Sequence, residues 1–311
     1  MISNDLEEEA NVIYRNEEVV EIHLFKSTNK MVFREVFVAP RDDAPWLLER
    51  PVKAFEDWIE YKKFLFPPSF EIVAEEIEEA YKETGDAGIV SLAISGLFFD
   101  LLISSREGGL EKVFEDLFEH PSFFKRLHRE FIDHTKEKMK AICKVTKKFD
   151  EFFVGCSYSA IPIINPKLYR EWEIPFLREI TEFAHMFGKP LHLHQHGRVM
   201  GIIEDIAEAG VDLLCPLESP PLGDVDLGLV KRRFGDRLAL KGNVRTRVLC
   251  EGTLGEIEAE VKDCIYKAAS GGGFVLGTGD QVHRDTPFEN IVFMRELCKR
   301  YGSYPISVTS G

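Results

Sequence analysis

A short apolar run followed by an amphipathic helix recurs six times between Gly88 and Tyr301, and this repeat restricts the chain to folds built on a parallel sheet. The strands are predicted at residues 88–95, 149–156, 189–196, 211–218, 238–244 and 273–279. The helices are predicted at 110–146, broken near Pro121, and then at 166–186, 199–208, 227–234, 254–269 and 287–301. Six units fall short of the eight of a complete TIM-type barrel, although 311 residues are enough for one. The expected fold is therefore α/β, a TIM-type (β/α) barrel shortened at its N-terminus. A shortened barrel exposes strand edges that invite further pairing. The expectation is that a homo-oligomer contact or a partner covers the open side.

The first fifty residues follow a different pattern. Alternation in Val19–Phe25 and in Met31–Val38, separated by Ser27-Thr28-Asn29-Lys30, predicts a β-hairpin within residues 11–38, a lid or edge element outside the repeat. After Pro51 the period becomes helical, at Phe55–Ile59 and again over 72–81. This divides the chain into a hairpin extension, 1–50, and a barrel, 51–311.

Composition narrows the function classes. A net charge of −14 excludes a general binder of nucleic acid or anionic membrane, which needs an excess of Lys and Arg. No apolar stretch approaches the ~20 residues of a membrane helix. The acidic start, Met1 to Glu9, lacks the form of a secretory signal, so the cytoplasm is the expected location. The six cysteines include no Cys-x-x-Cys pair, which argues against a zinc ribbon or a thioredoxin-type site. Cys156 and Cys215 stay of interest because they fall at predicted strand ends. The run Gly271-Gly272-Gly273 precedes a strand, whereas a phosphate loop follows one, and reads as a helix stop.

In a parallel barrel the chemistry sits where strands end. The strand ending Pro190-Leu191-His192-Leu193-His194-Gln195-His196-Gly197 carries three histidines at alternate positions, which share a face. A buried histidine is ordinarily a hydrogen-bonded core residue, and His192, the deepest, fits that description. His194 and His196 lie nearest the strand end. Glu218 stands between an apolar strand and a Pro-Pro turn, Asn243 ends the next strand, and Asp280 and His283 follow the last. His194, His196, Glu218 and Asp280 supply ligand types for a catalytic divalent metal, zinc included, which takes three protein ligands and leaves a position open. Asp280 could equally cap a turn.

These residues, read in order, resemble the uroporphyrinogen decarboxylase superfamily, which also contains zinc-dependent methyltransferases that exchange methyl groups with corrinoid cofactors. The resemblance runs from His194 to Pro305. It includes His-Gln-His-Gly at 194–197, Glu-Ala-Gly-Val-Asp at 208–212, Phe-Gly-Asp-Arg-Leu-Ala-Leu-Lys-Gly-Asn at 234–243 and Asp-Thr-Pro-Phe-Glu-Asn at 285–290, with Tyr158, Pro166 and Pro175 upstream. It implies a barrel with its site at the strand C-termini. In the decarboxylases an arginine-rich segment near the N-terminus grips the substrate, and this sequence offers no counterpart. A histidine of that family near the last strand falls at Asp280.

The methyltransferase branch holds zinc with a His-x-Cys-Gly motif and a later cysteine. His194 matches the first position, while His196 and Asp280 replace the two cysteines with harder ligands. The resemblance thus implies a metal-dependent methyltransferase-like enzyme acting on a small-molecule methyl donor or acceptor, with a corrinoid on a partner protein. Its catalytic candidates are Tyr158, Glu218, Asn243 and His283. The alternatives are a carboxy-lyase acting on a porphyrinogen, and a shortened-barrel subunit that completes a partner's site.

Overall fold

The computed structural model describes residues 6–15, 19–41 and 45–306. The chain forms two units, one from the residues up to Glu75 with Phe98–Lys147, the other from Glu76–Leu97 with the chain from Lys148 onward.

In the first unit, strands β1 (Glu7–Tyr14), β2 (Val19–Ser27), β3 (Val32–Pro40) and β4 (Trp46–Glu49) form an antiparallel meander in chain order. The predicted hairpin is its centre, β2 against β3. The prediction is corrected on both flanks, where β1 and β4 extend the hairpin to four strands. The acidic opening of β1 hides a strand whose Glu8 pairs across from Lys26. In β3 Phe33 and Glu35 are buried at alternate positions and then Val36 and Val38, the change of parity falling next to the register shift against β4 at Val36 and Phe37. Helices follow at Asp57–Leu65, Phe98–Ser105, Gly109–Glu119 and Pro121–Val145. The break predicted near Pro121 is real, because proline opens the second of the last two helices.

The second unit holds the βα repeat. Its strands β5 (Ser91–Gly96), β6 (Glu151–Gly155), β7 (Leu191–Gln195), β8 (Leu213–Pro216), β9 (Ala239–Val244) and β10 (Phe274–Thr278) lie in sequential order in one parallel sheet. Five of the six fall inside the predicted segments, and β5 passes the end of its own by one residue, Gly96. The sheet runs from β5 to β10, and among the described residues no pairing links these two strands. The helix Leu254–Ala268 shows how this sequence builds the repeat. A reciprocal Thr253–Glu256 capping box starts it, and Ile257, Val261, Cys264, Ile265 and Ala268 form its buried stripe. The predicted helix 166–186 contains a π turn, Tyr169–Glu173, which brings the buried Glu173 to accept from Ser159 Oγ at 3.0 Å. No helix among the described residues is long and apolar enough to cross a membrane.

Candidate functional site

Strand β7 puts His192 and His194 on one face of the sheet, and His196 follows directly beyond its end. The register sets Ser91 opposite Glu151 and His194 opposite Cys215. A row of polar side chains therefore crosses β5 to β8. Ser91 Oγ donates to Glu151 Oε1 at 2.6 Å, and His192 Nδ1 lies 2.7 Å from the same oxygen. Cys215 Sγ is 2.9 Å from His192 Nε2 and 3.1 Å from His194 Nδ1. His194 Nε2 then meets His196 Nε2 at 2.8 Å.

The other nitrogen of His196 faces two carboxylates. Its Nδ1 lies 2.9 Å from Glu218 Oε1 and 4.0 Å from Asp280 Oδ1. One ligand atom from each of His196, Glu218 and Asp280 lies within 4.8 Å of the others. That spacing and donor set, one imidazole and two carboxylates, fit a hard or borderline divalent cation. Glu218 is 6% exposed, so its charge calls for a compensating cation or proton.

The backbone aims these groups. After β8, Leu217 takes a left-handed φ of 61°, costly for a branched side chain, and turns Glu218 back toward the end of β7. There Glu218 Oε2 accepts from the Gly197 N–H at 2.5 Å. Gly197 must be glycine: its φ is 83°, and a Cβ would strike the Ile161 carbonyl. Asn243, 6% exposed, donates from Nδ2 to the Leu217 carbonyl at 3.0 Å and so braces that turn.

Burial, reinforced by the neighbouring His196 and His192, pushes the His194 imidazole down to about 4, leaving it neutral at neutral pH. Burial likewise pushes the Cys215 thiol up to about 12. For Glu151 burial works upward, but hydrogen bonds from His192 and Ser91 outweigh it and the carboxyl ends lower than usual.

Two clefts open on this cluster. One of about 390 Å³ is lined by His194, His196, Cys215, Lys241 and Asp280. The other, about 530 Å³, is lined by Glu218, the apolar Pro220, Pro221, Leu222 and Val248, and the polar Arg245, Arg247 and His283. Of the predicted site residues, the structure brings together His194, His196, Glu218 and Asp280. It places His283 on the larger cleft, exposed and 3.4 Å from Asp285. It places Asn243 behind Glu218, and Tyr158, half-buried, in the turn after β6, lining neither cleft. Sequence reasoning missed Glu151 and Lys241. A carboxylate opening an apolar strand, Glu151-Phe152-Phe153-Val154, was the available signal for the first.

A parallel βα sheet with ligand-type side chains gathered at its strand ends defines a class of enzyme fold with a site built from several loops. The chain belongs to the uroporphyrinogen decarboxylase (URO-D) family, whose model matches residues 37–301. Curated relatives include a uroporphyrinogen decarboxylase of Coxiella burnetii, 25% identical over 192 residues, covering 60% of this chain and 49% of that protein. One of Shewanella halifaxensis is 26% identical over 221 residues, covering 68% and 60%. The matched region thus spans about half to three fifths of these relatives' length. Among solved structures, a methyltransferase from Methanosarcina mazei superposes with a TM-score of 0.56 at 20% identity, covering 85% of this chain and 74% of the other.

Proposed function

We propose that this protein is a divalent-metal-dependent enzyme of the methyl-transferring kind, built on a TIM-type barrel. The observation that carries the reading is the compact donor set of His196, Glu218 and Asp280. These residues would hold the ion, with His194 behind them against the His196 ring. A bound divalent cation there supplies Lewis-acid chemistry, lowering the pKa of a thiol or hydroxyl that becomes a methyl acceptor.

The two carboxylates neutralise a divalent charge, and the buried setting of Glu218 favours retention of the cation over solvated carboxylates. The cleft that starts at Glu218 offers apolar walls for the body of a substrate, with Arg245, Arg247 and His283 to orient its polar end. The same reading assigns a small-molecule methyl donor or acceptor, a corrinoid carried by a partner protein, and a second copy or partner along the open sheet edges.

Elemental analysis of the purified protein tests this: about one zinc or other divalent ion per chain is expected, with methyl exchange to cobalamin dependent on it. A metal-free protein that gains no activity on adding zinc, cobalt or manganese overturns the reading. The names of the curated relatives favour a second reading, a carboxy-lyase acting on a porphyrinogen. Turnover of uroporphyrinogen by metal-stripped protein would establish that reading instead.

A further inference from the structure

The polar row behind the donor set has a direction when each of its imidazoles is neutral, and hydrogen counting then gives it. The Glu151 carboxylate accepts only, so the hydrogen between it and His192 belongs to His192 Nδ1. In a neutral imidazole His192 Nε2 is then an acceptor, and the hydrogen toward Cys215 is the thiol's own. Having donated there, the Cys215 sulfur accepts from His194 Nδ1–H. His194 Nε2 is left as an acceptor and takes the hydrogen of His196 Nε2. His196 therefore turns a lone pair, at Nδ1, toward Glu218 and Asp280. A lone pair facing two carboxylates is repulsive unless a cation lies among them.

Burial makes this ordering strict. Glu151, His192 and Cys215 are 4%, 2% and 4% exposed, so water has little access to replace a broken link, and an unmade bond there is costly. Ser91 supplies a further hydrogen to Glu151 and leaves its acceptor role unchanged.

We propose that Glu151, His192 and Cys215 are positioning residues which, acting through His194, present the Nδ1 lone pair of His196 to a divalent cation shared with Glu218 and Asp280. The inference rests on the metal-dependent reading above and adds the residues that aim its imidazole ligand. Partners behind a ligating histidine fix its tautomer and orientation, and their loss commonly lowers metal affinity by roughly 10–100-fold.

The test measures Zn(II) affinity by competition with a chromogenic chelator for the wild-type chain, Cys215→Val and Cys215→Ser. Valine fills the space of the thiol without hydrogen bonding and is expected to weaken zinc binding roughly 10–100-fold. Serine both donates and accepts, and is expected to stay within about threefold of wild type. A purely structural role for Cys215 would not separate the two variants in this way. Independently of any variant, ¹⁵N-histidine NMR of the zinc-loaded wild type is expected to place the hydrogens on Nδ1 of His192 and His194 and on Nε2 of His196. Equal zinc affinity of wild type and Cys215→Val, serine as weak as valine, or a hydrogen on His196 Nδ1 in the loaded protein would each overturn the proposal. Absence of zinc, cobalt and manganese binding by the wild type overturns the metal-dependent reading, and this proposal with it.

Discussion

At the residue scale, Glu218 and Gly197 form a single device. The carboxylate lies against the His196 ring and accepts from the Gly197 amide, and it reaches both because Leu217 turns left-handed and Gly197 lacks a Cβ. Glu218→Gln keeps an oxygen for the Gly197 N–H but loses the charge. Unfolding free energy of the metal-free protein should change by less than about 1 kcal/mol, while zinc affinity measured by chelator competition should fall on the order of 100-fold or more. Gly197→Ala forces a side chain into a left-handed position against the Ile161 carbonyl, and urea unfolding should show a loss of roughly 2–4 kcal/mol. Much of this cluster was legible beforehand. Period-two spacing gave the shared face of His192 and His194, and the position of Glu218 before two prolines marked it as unusual. Glu151 was not legible, because its role depends on a neighbour 41 residues away across a strand pair, and spacing along one strand carries no information about that pairing.

Individual elements show the same division between local and distant information. The helices Asp57–Leu65 and Gly109–Glu119 are joined at Asp116, whose Oδ2 accepts from Trp58 Nε1 at 3.1 Å and from Nε of the buried Arg106, in the turn before the second helix, at 2.7 Å. Arg106 also donates to the Lys53 carbonyl at 2.5 Å, so its charge is spread over several acceptors. Asp116→Ala strands that guanidinium in the interior, and denaturant unfolding should register a loss of about 3–5 kcal/mol. Repeats of strand and helix were readable because their periods are local. The helix Phe98–Ser105 was not, since Phe98, Phe99, Leu102 and Ile103 are all buried and leave too little polar face to reveal a period. Strand β1 was hidden for the opposite reason. Its glutamates are exposed, and only pairing with β2 makes it a strand.

At the scale of the whole molecule, a cation at His196, Glu218 and Asp280 would contact residues of the parallel-sheet unit alone. A ligand that binds only the folded state stabilises it by about 2.7 kcal/mol when its free concentration is 100 times the dissociation constant. For a unit of this size that corresponds to a rise of roughly 5–10 °C in the unfolding midpoint. Because the donors come from the end of β7, the turn after β8 and the loop after β10, the cation ties together segments that the sheet's hydrogen bonds leave free beyond the strand ends. Hydrogen exchange with and without zinc should therefore show added protection at residues 193–198, 216–224 and 278–285. The meander of β1 to β4 should exchange at an unchanged rate, since it supplies no donor. Equal slowing in the meander would mean that zinc acts through the folding of the entire chain and not through a cluster at three strand ends.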